Sequence, residues 1–194
     1  MPLEARRVAP LALVACILAP ALSFAAGVPG RQHVTALPRP VAVYVGRQLV
    51  AAGQSLSSAI RRVRTQVPFT VRTPRYAPAG YRPMQLAITP RQRDVSLGFS
   101  TLSYVLWRHG RAVTAIGFEI DQAPHAIPVV GGTHVTTVKV GSALATLHQF
   151  TAAHQDIMIL TWVDGHGNGY DLVTNVAVSG LLPHTLARIA ASLR

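Results

Sequence analysis

The sequence predicts an α+β domain, an antiparallel β-sheet with one helix before it and one C-terminal helix packed on it. Three observations carry that prediction. Short apolar runs rich in β-branched and aromatic residues follow one another between residues 69 and 176 with no helical pattern between them, which favours hairpin-connected strands over parallel ones. A helical stripe, Leu56, Ile60, Val63 and Val67, precedes these runs, and a second, Leu186, Ile189, Ala190 and Leu193, closes the chain. With the first 30 of the 194 residues set aside, the remainder has the length of one ordinary domain and can bury a substantial core.

Each element has its own local cause. Arg31 to Pro40, with Pro38 and Pro40 and no periodicity, reads as a linker. Val41 to Val45 reads as a short strand or an extended lead-in, so that 31–52 is linker and strand and 53–194 the domain proper. Ser55 is an N-cap for a helix to about Gln66, with Arg61, Arg62 and Arg64 away from the apolar stripe and Pro68 ending it. Phe69 to Arg72 and Met84 to Ile88 are strands flanking the Pro/Gly-rich turn from Thr73 to Tyr81. Val95, Leu97 and Phe99 alternate with small polar residues and open a strand running through Tyr104 and Trp107; His109-Gly110 turns the chain into the alternation Ile116, Phe118, Ile120. Val135 to Val140, Ala145 to Phe150, Ile157 to Val163 and Tyr170 to Val176 complete the strands. Asp164-Gly165-His166-Gly167-Asn168-Gly169 is a loop at a hairpin tip, and Pro183 starts the last helix.

The stretch from Met1 to Gly30 is built for export: a basic start, an uncharged run from Val8 to Gly30, and small residues at its end. Three fates fit it. Ser23-Phe24-Ala25 offers a cleavage site after Ala25; the 23 uncharged residues are long enough to span a bilayer; and Leu13-Val14-Ala15-Cys16 has the look of a lipobox that would acylate Cys16. All three place the later residues outside the cytoplasm, in the periplasm or beyond, anchored or not through residues 8–28. Cys16 is the chain's one cysteine, so the exported part forms no internal disulfide and rests on its core.

Charge divides the chain in two. Residues 31–111 hold 13 arginines against one acid, Asp94, whereas residues 112–194 hold three basic residues and five acids. The first half therefore suits an anionic surface, lipid headgroups or an acidic partner, with Arg61, Arg62, Arg64, Arg72, Arg75 and Arg82 as the candidate contacts. A solvated face in an arginine-rich proteome explains the same residues equally well. Export argues against nucleic acid as the partner.

Val67-Pro68-Phe69, then Pro74-x-Tyr76-x-Pro78-x-Gly80-Tyr81, then Leu160-x-Trp162-x-Asp164-Gly165 and Leu186-x-x-Ile189-Ala190-x-Ser192-Leu193 resemble the pattern of a bacterial extracytoplasmic domain of unknown function. That domain occurs in single-span anti-sigma-like and sporulation-associated proteins, and the resemblance covers residues 66 to 193. More distantly the layout is similar to the curved half-barrels of lipoprotein carriers and of envelope-stress sensors. The resemblance implies a curved sheet and an envelope protein; its motifs are turns and core positions, nearly silent about activity. Only Met1 to Arg7 precede the apolar run, so a cytoplasmic sigma-binding domain is not expected.

The inventory for catalysis is poor. The sequence has no Gly-x-Ser-x-Gly elbow, phosphate-binding loop or dinucleotide fingerprint, and its cysteine lies in the export stretch, so no enzyme and no cofactor are expected. The eight histidines include no His-x-x-x-His pair; His148 and His154, six apart across a turn, are the nearest approach to a metal pair, and no metal is expected there. The 164–169 loop imitates the opening of a calcium loop, but His166 stands where a carboxylate belongs, Asn175 stands where the bidentate glutamate belongs, and strands flank it. Asp164 and Asp171 are a carboxylate pair in principle, though strand-end acids are commonplace. Two function classes remain: a membrane-proximal binding or sensor module facing an envelope protein or anionic headgroups, and a carrier holding an acyl chain against surplus apolar residues such as Trp107, Met158, Leu160 and Trp162. For that carrier, a central buried strand is the alternative source of those residues.

Overall fold

Nine strands form one open sheet in the computed structural model, which describes residues 41–89, 98–152 and 155–194, without the side chains of residues 114, 115 and 152. The strands are β1 (Val41–Val45), β2 (Gln48–Gln54), β3 (Tyr81–Thr89), β4 (Phe99–Arg108), β5 (Arg111–Ala123), β6 (His134–Val140), β7 (Ala143–Ala152), β8 (Gln155–Val163) and β9 (Gly169–Asn175). Three helices accompany them: α1 (Leu56–Val63), α2 (Val176–Ser179) and α3 (Pro183–Ala191). The spatial order is β2-β1-β3-β4-β5-β9-β8-β7-β6. The α+β layout with a curved sheet is as expected, and the sheet does not close. The linker from Arg31 to Pro40, the start of the Val95 strand, Cys16, Ala25 and His154 lie outside the described residues.

The sheet is antiparallel at every pairing but one. β1 runs parallel to β3, with Val43 opposite Leu86 and Val45 opposite Ile88. The parallel step follows from connectivity, because β2 and α1 intervene between the two strands. β2 has no forecast in the sequence: its run QLVAAGQ is mostly small or polar and shows no alternation. α1 begins where the cap predicts, with Ser55 Oγ accepting from Ser58 N at 3.2 Å, and it buries Ala59 and Val63.

Phe69 to Arg72 is not a strand, which corrects the sequence reading. The segment from 64 to 80 is irregular and is tied instead to the end of the chain. Thr73 and Arg194 exchange backbone hydrogen bonds at 3.2 Å in both directions, and Arg75 N donates to Ser192 O at 3.1 Å. The Arg188 guanidinium sits 4.0 Å from the Tyr76 ring centre, a cation–π contact that adds to this strap. Apolar residues at 67, 69 and 71 thus serve packing, not a ladder: Val67 and Val71 are buried in the core.

Register decides what each face of the sheet carries. Leu102, Ile120, Leu172, Leu160 and Leu147 stand opposite one another across β4, β5, β9, β8 and β7, and all five are buried. Each contributes on the order of 1.5–3 kcal/mol by leaving water. The cross-strand pairs Tyr104–Phe118 and Trp162–Tyr170 stack on the same face, with ring centres 4.6 and 5.1 Å apart. Leu186 and Ile189 of α3 join this core, so the helix is packed on the sheet as its stripe predicts. His109 and Gly110 join β4 to β5 with φ of 48° and 81°, the positive pair that a two-residue type I′ turn requires.

Candidate functional site

One residue along from the aliphatic row, the same register lays a polar row across the opposite face. Thr101, Asp121, Asp171, Thr161 and Thr146 are successive partners through β4, β5, β9, β8 and β7. Side chains alternate between faces along a strand, so placing Ile120 and Leu172 in the core necessarily turns Asp121 and Asp171 the other way. Directly opposed residues of an antiparallel pair have Cβ atoms about 5 Å apart. Two carboxyl groups are therefore neighbours at the centre of the sheet.

Their surroundings hold both in the acid form well above the ordinary carboxylate range. Asp121 retains some exposed surface, yet burial of its carboxyl is the largest cause that pushes its pKa up to about 7; the Thr101 hydroxyl donates to it and works the other way, while Glu119 and Asp171 add like-charge repulsion. Asp171 is only 6% exposed, and burial raises it to about 6 against the lowering effects of the Thr161 hydroxyl and of His148. Asp171 Oδ1 is buried and has no hydrogen-bond partner among the described residues. Ser103 donates to Glu119 at 3.0 Å beside the pair.

The connection from β5 to β6, residues 124–133, crosses over this face. Gly169 marks its path over β9: a Cβ there would stand 2.1 Å from His125 O. His148 marks its path over β7, with Nδ1 2.9 Å from Gly131 O. Thr133 donates from both its backbone N and its Oγ1 to Gln149 O, at 2.7 and 2.9 Å. Asp171 is two residues on from Gly169 on the same face of β9, the face that the connection crosses between Gly169 and His148.

The sequence-predicted site residues are dispersed. Arg61, Arg62 and Arg64 are exposed along and just after α1, and Arg75 is exposed on the strap. Arg82, half-buried, pairs with Val105 at the start of β3. Arg72 is bound on two sides: its Nη2 lies 3.1 Å from Asp164 Oδ2, and its backbone is hydrogen-bonded by Gln122. Asp164 and Asp171 are not brought together as a pair. Asp164 instead organises the 164–169 hairpin, with Oδ1 accepting from His166 N at 2.8 Å and Asn168 N at 3.0 Å, and Oδ2 from the Tyr170 hydroxyl at 3.0 Å. Burial opposes it, but these donors hold Asp164 below the usual carboxylate range. Its oxygens are thus engaged within the protein, and among the described residues no cluster of three metal-ligating side chains occurs.

Met158, Leu160 and Trp162 are buried core residues, so they are not a surplus face for an acyl chain. The cleft beside Trp162 has a volume near 290 Å³, at the lower end for ligand sites, and its rim includes Arg72, Asp164 and His166.

The sheet's two edges differ. β1 and β2 pair with two register shifts, whereas β6 and β7 pair in unbroken register over seven residues. Among the described residues β6 pairs with β7 alone. Three exposed apolar side chains, Val130, Val135 and Leu144, lie at or beside β6. Among the described residues no helix is long and apolar enough to cross a membrane.

No family model matches the chain, and no curated protein matches it either. Among solved structures, the crystal structure of MucB in complex with MucA(peri) is similar to it, at 17% identity and a TM-score of 0.33. The likeness covers 76% of this chain, which spans 45% of the length of the matched one.

Proposed function

We propose that this chain is an exported, envelope-associated and non-catalytic binding module that takes an extended segment of a partner protein along β6. The observation that carries the reading is the regular, unpartnered edge of β6 with Val130, Val135 and Leu144 exposed beside it. An edge strand presents a row of backbone donors and acceptors, and strand addition uses that row for affinity and side chains at alternate positions for specificity. β6 carries His134 and Lys139 and no acid, so a segment with acidic side chains suits it, while Lys139 disfavours pairing with a second copy of the same edge. The poor catalytic inventory and the export stretch support the non-catalytic and extracytoplasmic parts of the reading.

The test is site-specific photocrosslinking from Thr137 in the envelope of the producing cell. One discrete protein adduct is expected, and it disappears in Val135→Lys/Leu144→Lys while folding, read by circular dichroism, is retained. Adducts that persist in that variant, or that form equally from Arg62, overturn the strand-addition reading.

A second reading, contact with an anionic surface, is favoured by the exposure of Arg61, Arg62 and Arg64 at one helix. Association with anionic vesicles that weakens as salt rises from about 0.05 to about 0.5 M supports it, and salt-independent or absent association removes it. The acyl-carrier alternative draws no support from Met158, Leu160 and Trp162, which the core occupies. Absence of co-purified lipid in native mass spectrometry removes it.

A further inference from the structure

The carboxyl pair and the connection above it have a use that strand addition does not involve. Asp121 and Asp171 are directly opposed, and both carry acceptor oxygens only when ionised. Asp171 Oδ1 then lacks any donor, a costly state for a group that is 94% buried. One proton on the neighbouring carboxyl supplies the missing donor and removes the repulsion between two charges in the same step. We propose that Asp121 and Asp171 share one proton across β5 and β9, and that its loss to solvent releases the 124–133 connection from this face, making a pH-operated latch.

The charged and titratable groups facing the pair come from every neighbouring strand. β5 contributes Glu119 and β7 contributes His148, while Thr101 and Ser103 of β4 and Thr161 of β8 contribute neutral hydroxyls; the connection itself contributes exposed His125. Glu119 opposes a second ionisation and His148 in its cationic form favours it. The elevated pKa values of both acids accord with one retained proton near neutrality. When that proton leaves, two buried charges require water, and the connection crosses the face on which they sit. Its fastening on this face is light: His148 to Gly131, and Thr133 to Gln149. A coupled pair of this kind titrates as a unit with two separated apparent pKa values.

Hydrogen exchange on the full chain tests the latch at about pH 5.5 and about pH 8, with intrinsic rates divided out. The amide of Thr133, which donates to Gln149 O, is expected to lose protection tenfold or more at the higher pH, relative to β9. Asp121→Asn, which keeps a neutral donor at all pH values, is expected to retain it. Unchanged protection in the native chain, or an equal loss in Asp121→Asn, overturns the latch. Infrared titration supplies the second measurement. A protonated-carboxyl band that bleaches over this range, and shifts in Asp171→Asn, supports the shared proton. Its absence at about pH 5.5 refutes it even where Asp121→Asn fails to fold.

Discussion

Gln122 binds the main chain of Arg72 through both ends of its side-chain amide. Arg72 N donates to Oε1 at 2.7 Å and Nε2 donates to Arg72 O at 2.8 Å, the pattern a neighbouring strand would offer. Gln122 is fully buried on the core face of β5, so a polar residue in the hydrophobic layer substitutes for a ladder that the 64–80 segment lacks. Gln122→Leu strands the Arg72 amide and carbonyl and gives nothing in return but apolar volume. A loss of about 2 kcal/mol is expected, since unsatisfied buried groups cost on the order of 1–3 kcal/mol. Urea denaturation, read as a lower midpoint at unchanged slope, checks it.

Gly169 is the point where β9 and the β5–β6 connection touch. A Cβ there would run into the backbone of His125 and Ala126, with no flexible side chain to yield. Gly169→Ala must therefore displace the connection or the start of β9. The expected result is a melting temperature lower by roughly 5 °C or more, together with faster exchange at Thr133, whose amide donates to Gln149 O. Gly165→Ala, in open space in the neighbouring hairpin, is the control and is expected to leave both unchanged.

Much of the layout was legible because periodicity is a local property. The alternation of Phe118 and Ile120 with Glu119 and Asp121 already separates the two faces of β5, and the stripe Leu186, Ile189, Ala190 already turns α3 onto the core. Which carboxylates meet is a different matter. Asp171 and Asp164 are close in sequence, but the pair that forms joins residues 121 and 171, because β9 returns to lie beside β5 after three other strands. No local pattern encodes that neighbour. The Phe69 to Arg72 run differs for a related reason: its apolar residues are explained by packing against the core as well as by a strand, and only the absent ladder tells them apart. β2 went unseen because an edge strand need not alternate.

Stability against pH has an unusual slope here. Asp121 and Asp171 keep their protons in the folded state up to about pH 7 and 6, whereas their unfolded forms release them near pH 4. Between those limits the native state binds more protons than the unfolded one, so stability falls as pH rises. A melting temperature roughly 5 °C lower near pH 7.5 than near pH 5 is expected in calorimetry. Asp121→Asn reduces this slope to the part that Asp171 contributes; a native chain that grows more stable across the interval contradicts the assignment.

Asp164 acts with the opposite sign, and that sets the acid limit. Its folded pKa is depressed by donors from His166, Asn168 and Tyr170, so its contribution is present above the unfolded value near pH 4 and is lost as pH falls through the folded one. Protonation also weakens the contact with Arg72, whose strap segment is otherwise held by Gln122 and by the chain's last residues. The two effects together place maximal stability on the acid side of neutrality, near pH 4 to 5, below the usual range. Asp164→Asn is expected to remove the acid limb of the profile while leaving the neutral limb intact, and Asp121→Asn to shrink the neutral limb while leaving the acid one. A double variant with both substitutions is expected to lose the acid limb and to keep only the shallower fall between about pH 4 and 6 that Asp171 contributes, because the two sites share no partner and their effects should add.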